Sequence, residues 1–253
     1  MTVRPRRSVL YMPGSNARAL EKARELPADG LILDLEDAVA PEAKAAARDA
    51  VVKAVSTGFG DREVLVRMNG LDTRWWVEDL DAVAAARPDA VLVPKISDPG
   101  QLQDLAARIV DIGTDPRVRV WAMMETPLAM LNVGASAAAA RAYGLDILDG
   151  VYNDLGDAEG FVAECQQASD LGFDGKTLIH PRQIEPCNAA FSPSTEEVVT
   201  ARKMIAAFEL PENKDKGVIQ IDGRMVERLH AEMARRTVAI ADAIEKARPK
   251  QPA

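Results

Sequence analysis

Seven short aliphatic runs recur along the chain with room for a helix between neighbours, and this alternation limits the fold more than any other feature of the sequence. The runs are Ser8 to Met12, Leu31 to Leu35, Val64 to Met68, Ala90 to Pro94, Val118 to Met124, Leu145 to Val151 and Gly175 to Ile179. Between them, Asn16 to Leu26, Pro41 to Ser56, Trp75 to Ala86, Pro99 to Ile112 and Ala158 to Leu171 read as helices, several opened by a polar cap or a proline. Short strands alternating with helices form parallel sheets. The runs are apolar at consecutive positions, so the sheet is predicted to be buried on both faces. So many βα units in succession favour a closed (β/α) barrel over an open doubly wound sheet. The turn after the first strand, Met12-Pro13-Gly14-Ser15-Asn16, lacks the G-x-G-x-x-G spacing, and a Rossmann dinucleotide site is not expected. A barrel needs eight strands, and the sequence offers seven.

After Phe191 the alternation stops. Ser194 to Glu209 reads as a helix, Leu210 to Gly217 as a polar loop, Val218 to Ile221 as an extended piece and Met225 to Ala247 as a long amphipathic helix. This tail is too short for a core of its own. The expected organisation is a barrel over residues 1–191 and a C-terminal helical extension over 192–253 that packs on the barrel or on a neighbouring subunit.

A chain of 253 residues, 47% hydrophobic and 28% charged, suits one large soluble core. The net charge of -8 argues against nucleic-acid binding, which needs a basic stripe to neutralise phosphates. The two cysteines, Cys165 and Cys187, have no metal-ligand spacing and read as reduced thiols in a cytoplasmic protein. No run is long enough to span a bilayer, and the basic N-terminus is broken by Pro13-Gly14 before it could form a signal peptide; no membrane association is expected.

Several runs end in polar groups, and in a barrel those ends share one rim, where the chemistry of such folds lies. The clearest is Val120-Trp121-Ala122-Met123-Met124-Glu125-Thr126-Pro127, an apolar strand delivering one carboxylate before a helix-opening proline. The second strand ends in Asp34, Glu36 and Asp37, the third in Arg67 and Asn69, the fourth in Lys95 and the last in His180. Such a set suits a divalent metal together with an anionic substrate. Each has a blander account: Asp34 as a structural acid, Lys95 as partner of a nearby acid, His180 as a cap before Pro181. Arg67 and Glu125 resist it most, because either would be costly to bury alone.

The motifs Leu10-Tyr11-Met12-Pro13-Gly14, Leu33-Asp34-Leu35-Glu36-Asp37-Ala38-Val39, Val66-Arg67-Met68-Asn69, Val93-Pro94-Lys95, Glu125-Thr126-Pro127, Gly175-Lys176-Thr177-Leu178-Ile179-His180-Pro181 and Asp222-Gly223-Arg224-Met225-Val226, in that order, resemble the citrate lyase beta-subunit-like proteins. These include citryl-CoA, malyl-CoA and citramalyl-CoA lyases. The resemblance implies a barrel that cleaves a 3-hydroxyacyl-CoA into an acyl-CoA and a 2-oxo acid with Mg²⁺ at the rim. It makes Glu125 a metal ligand and Arg67 the anchor of the substrate carboxylate or oxo oxygen. Asp37 joins them as a catalytic candidate and Lys95 as a substrate contact, while Arg18 and Lys22, one turn apart, match positions that meet CoA. Glu227 stands where relatives carry an acid that reaches a neighbouring subunit's site, which implies a homo-oligomer, a trimer or hexamer. The alternatives within the family are an acyl-CoA thioesterase and a catalytically impaired CoA-binding relative.

One departure from the family is large. Relatives carry a further helix, strand and Gly-rich turn with a second acidic metal ligand after the fifth strand; here Leu131-Asn132-Val133-Gly134 leads through Ala137 to Gly144 straight into the Leu145 strand. A whole βα unit is missing. The sequence as recorded lacks residues that the protein has, or the gene carries a deletion, or the Leu145 strand has moved into the sixth position. An unpaired buried edge is costly, which favours the first account.

Overall fold

A computed structural model of the chain describes residues 4–97, 99–115, 117–131 and 145–247. These fall into two compact units, Arg6–Ala190 and the segment from Phe191 onward.

The first unit contains β1 (Ser8–Pro13), α1 (Ala17–Lys22), β2 (Gly30–Asp34), α2 (Lys44–Thr57), β3 (Glu63–Arg67), α3 (Trp76–Ala86), β4 (Ala90–Val93), α4 (Pro99–Asp111), β5 (Arg119–Ala122), α5 (Pro127–Leu131), β6 (Leu148–Asp149), α6 (Ala158–Asp170), β7 (Gly175–Leu178) and α7 (Ile184–Ala190). All seven strands are parallel, in the order β5-β4-β3-β2-β1-β7-β6. Among the described residues this is a TIM-barrel-like sheet of seven strands, one short of a closed barrel. The sheet curls: Val9, Ile32, Leu65, Ala90 and Leu92 form one interior cluster, and Trp121 and Met123 from the β5 side and Leu148 from β6 both reach it.

The central strands β2, β3 and β4 are buried at every position, as their continuous apolar runs require. The two edges are not: Val120 in β5 is 41% exposed. Only Leu148 and Asp149 of the expected Leu145–Val151 strand pair with a neighbour, because β7 flanks them on one side and the missing strand would have stood on the other. Since β6 lies against β7, it holds the seventh position of a barrel and has not moved into the sixth. The residues between α5 and Leu145 lie outside those described.

At the N-terminal face of the sheet, Arg6 donates to Glu63 at 2.6 Å, pairs with Asp146 and stacks 5.1 Å from the Trp121 ring. It bridges β3, β5 and the approach to β6, so a charged group does part of the closing that a strand would do. At the other face Gly14 must be glycine: its N–H donates to the Asp34 carbonyl at 2.8 Å, and a Cβ there would lie 2.6 Å from that oxygen and 2.7 Å from Val51 Cγ2.

The second unit contains α8 (Thr195–Glu209), β8 (Val218–Ile221), β9 (Arg224–Glu227) and α9 (Arg228–Ala247). Ser194 and Glu197 form the capping box that opens α8. The helix expected from Met225 starts at Arg228 instead. Residues 224–227 form the second strand of a hairpin, because Asp222 and Gly223, at φ 50° and 77°, supply the two left-handed residues of a tight turn. Phe208, Ile219, Val226 and Ala231 make a small core. No described helix is long and apolar enough to cross a membrane.

Candidate active site

Strand register sets the first contact of the site. Asp34, the last residue of β2, stands beside Arg67, the last of β3. Arg67 donates from Nε and Nη2 to the two Asp34 oxygens, each at 2.7 Å. Asp34 also accepts the backbone N–H of Glu36 at 2.9 Å and of Ala38 at 3.1 Å. Its oxygens are fully engaged, and the structural reading of Asp34 holds. Arg67 has five N–H groups; the pair with Asp34 takes two, and Nη1 lies 3.1 Å from Glu36 and donates to Asp37 at 3.5 Å. Its ring neighbour is Tyr11, 4.8 Å from Cζ. Burial alone would lower the Arg67 pKa, but Asp34's hydrogen bond and charge outweigh it and hold the pKa above its ordinary value. The guanidinium stays charged at any working pH.

Period-two alternation in Asp34-Leu35-Glu36 puts Asp34 and Glu36 on one face. The Glu36 side chain is buried and touches two cations: Oε2 lies 3.1 Å from Arg67 Nη1, an ion pair without hydrogen-bond alignment, and Oε1 accepts from Lys95 Nζ at 2.6 Å. Burial raises the Glu36 pKa against the opposing pull of Lys95 and Arg67. The hydrogen bond from Glu36 raises that of Lys95. Lys95 follows β4 with φ 55°, a left-handed conformation that costs a residue with a Cβ roughly 1–2 kcal/mol. In that conformation its backbone N–H donates to Glu125 Oε1 at 3.0 Å. Glu125 is exposed beyond the tip of β5. The next residue, Thr126, accepts the N–H of Ala129 at 3.2 Å and caps α5, which opens at Pro127.

Four strand tips thus bring together Arg67, Glu36, Lys95 and Glu125, with Asp37 at the edge. The Asp37 carboxylate is 66% exposed and lies 3.5 Å from Arg67 Nη1 and 3.8 Å from Lys95 Nζ. Below them the Tyr11 hydroxyl donates to Met123 Sδ at 3.4 Å, and burial pushes its pKa up. Arg18 and Lys22 are both exposed on α1. Glu227 belongs to the second unit, where its backbone N–H donates to His230 Nδ1 at 3.0 Å. His180 is a cap, its Nδ1 accepting the N–H of Arg182 at 3.1 Å. Sequence reasoning set Glu36 among the rim acids without a role of its own, and it did not single out Tyr11. Strand alternation would have found Glu36, since it shares the inward face with Asp34 while Asp37 does not.

Lys44 Nζ also reaches this region, donating to the carbonyls of Leu35 and Glu36 at 2.8 and 2.7 Å. Four carboxylates therefore stand against three cations, and the excess negative charge sits on the exposed pair, Asp37 and Glu125. That suits a hard cation. No group of three or more His, Cys, Asp or Glu among the described residues is arranged to hold a metal.

The family model described as HpcH/HpaI aldolase/citrate lyase matches residues 7–139 and 133–181. The chain belongs to this family. It is 46% identical over 279 residues to a (3S)-malyl-CoA thioesterase of Cereibacter sphaeroides (strain KD131 / KCTC 12085), covering 95% of this chain and 96% of the relative. It is 32% identical over 288 residues to the citrate lyase subunit beta of Leuconostoc mesenteroides subsp. cremoris, with 95% and 94% covered. Among solved structures it is similar to the protein CitE of Mycobacterium tuberculosis in complex with magnesium, acetoacetate and coenzyme A, at a TM-score of 0.69 and 27% identity, over 96% of this chain and 100% of that one. The chain is thus a member of an enzyme family of CoA-related lyases and thioesterases. Ninety-five per cent of 253 residues is about 240, so about 40 of the 279 aligned positions have no counterpart here. The family match divides where the βα unit is missing, at residues 133–139.

Proposed function

We propose that the chain is a Mg²⁺-dependent carbon–carbon lyase of 3-hydroxyacyl-CoA thioesters, releasing an acyl-CoA and a 2-oxo acid at the strand-tip site. The observation that carries the reading is the linkage of Arg67, Glu36, Lys95 and Glu125 on one rim, in a chain of the citrate lyase family. Glu125 is the assigned Mg²⁺ ligand, with water and substrate oxygens filling further positions, as Mg²⁺ commonly accepts. When bound, the ion supplies a Lewis acid for the oxygen that becomes the 2-oxo group. The Nη1 group of Arg67, whose ion pair with Glu36 lacks hydrogen-bond alignment, anchors the substrate carboxylate. Lys95 fixes the Glu125 carboxylate through its backbone N–H and adds positive charge for the anionic fragment. Arg18 and Lys22 meet the phosphates of CoA.

Cleavage takes the proton from the 3-hydroxyl and leaves the electrons of the broken bond on the thioester enolate, which is then protonated at carbon. Glu227, from a neighbouring copy in a homo-oligomer, and Asp37 are the assigned proton carriers, on the strength of the family resemblance.

A second reading is favoured by the 46% identity to a malyl-CoA thioesterase. The same site would then direct water to the thioester carbon and release the CoA thiol. Incubation with malyl-CoA and Mg²⁺ separates the two: the lyase yields glyoxylate and acetyl-CoA, the thioesterase yields malate and a free thiol. Malyl-CoA, citramalyl-CoA and citryl-CoA all left intact would overturn both.

A further inference from the structure

We propose that Glu36 is a positioning residue that ties the substrate-anchoring arginine to the metal-binding carboxylate. The inference rests on the function proposed above. Three contacts run in series across four strand tips: Arg67 Nη1 to Glu36 Oε2 at 3.1 Å, Lys95 Nζ to Glu36 Oε1 at 2.6 Å, and Lys95 N–H to Glu125 Oε1 at 3.0 Å. Among the described residues, Glu36 is the buried carboxylate that touches both Arg67 and Lys95.

Its contacts differ from those of a structural acid. Asp34, two residues earlier, accepts two backbone N–H groups as well as Arg67. The Glu36 carboxylate, among the described residues, meets only the side chains of Lys95 and Arg67. A buried carboxylate that serves no backbone group contributes little to holding a turn together. Its effect is on the two side chains it touches.

The stronger half of the linkage runs toward Lys95, where distance and alignment both fit a charge-assisted hydrogen bond. Lys95 is in the left-handed conformation that aims its N–H at Glu125. The ammonium held by Glu36 tethers that conformation from the side-chain end. Without Glu36, the nearest remaining acid is the exposed Asp37 at 3.8 Å, and the half-exposed ammonium is released to water. Glu125 then loses the fixed position of the Lys95 N–H that donates to it. Groups that orient a metal ligand in this way typically change metal affinity or activity by about 10–100-fold when removed.

The test is calorimetric titration of Mg²⁺ into the full-length protein and into Glu36→Gln, Lys95→Gly and the double variant, with melting temperatures recorded for each. Glycine keeps the backbone N–H and the left-handed turn while removing the ammonium. The expected result is a folded Glu36→Gln protein with Mg²⁺ affinity about 10–100-fold weaker, a similar loss in Lys95→Gly, and a double variant no weaker than the poorer single. Should Glu36→Gln fail to fold, Glu36→Asp, which keeps the charge but falls short of Lys95, is expected to show the same loss. Wild-type protein that binds no Mg²⁺ would overturn the functional reading and this inference with it. Wild-type binding with an unchanged Glu36→Gln, or losses that simply add in the double variant, would overturn the role of Glu36 alone.

Discussion

Replacing Asp34 by asparagine tests how the rim is anchored. The carboxylate is 1% exposed and its partner Arg67 is 8% exposed, so solvent screens this pair very little. Asparagine keeps the shape but turns one of the two oxygens into an NH₂ donor. That group must face either the Arg67 fork or the N–H groups of Glu36 and Ala38, all of which are donors. The arginine then stays buried without its countercharge. Removing one partner of a buried pair costs about 3–5 kcal/mol. Against a total stability of about 5–15 kcal/mol this is a large fraction. At about 2–4 °C per kcal/mol for a chain of this size, the melting temperature should fall by about 6–20 °C. Thermal unfolding followed by far-UV circular dichroism, with no ligand added, reads it directly. The control is Asp37→Asn: its exposed ion pair is worth about 0–1 kcal/mol, so its melting curve should stay close to wild type. If Asp34→Asn melted with the wild type, the Asp34–Arg67 pair would not be the anchor of this site.

Other expectations follow from the same geometry. Arg67→Lys removes both the fork on Asp34 and the Nη1 group beside Glu36, so it should lower the melting temperature and also raise KM for the CoA thioester, both measured on one preparation. Gly14→Ala places a Cβ against the Asp34 carbonyl and Val51, and should cost about 1–3 kcal/mol in urea unfolding. Glu36 has a folded-state pKa raised above its unfolded value, so the stability it contributes is full below about pH 4.5 and is lost as pH rises through the folded pKa. The melting temperature of wild type minus that of Glu36→Gln should therefore fall from pH 4 toward neutrality, and a flat difference would contradict the burial argument.

Much of the scaffold is legible because β2, β3 and β4 are buried on both faces and so are apolar along their middles, with charge confined to the strand ends at Asp34, Glu63 and Arg67, a pattern that suits parallel, helix-covered strands. The same reasoning identifies Arg67 and Glu125, charged groups placed where an apolar run stops. It fails where structure depends on a partner. β6 is short because, among the described residues, it pairs only with β7 at an edge of the sheet, and no property of Leu145 to Val151 records that. The hairpin at Asp222-Gly223 was hidden by the amphipathic pattern of Met225 to Ala247, although Asp-Gly is itself a turn signal. At Glu36-Asp37, two adjacent acids look alike in sequence; both follow the last strand residue, Asp34, and the turn there buries one and leaves the other in water. The fork of Arg67 on Asp34 depends on strand register, which emerges only when β2 and β3 are laid side by side.

The most direct test of the account is the Mg²⁺-dependent consumption of malyl-CoA by wild type and by Glu125→Ala, followed by the loss of the thioester. The account predicts consumption by wild type that chelation abolishes, and none by Glu125→Ala with an unchanged melting temperature. Turnover that survives chelation, or a folded Glu125→Ala protein that still consumes malyl-CoA in response to Mg²⁺, would contradict it.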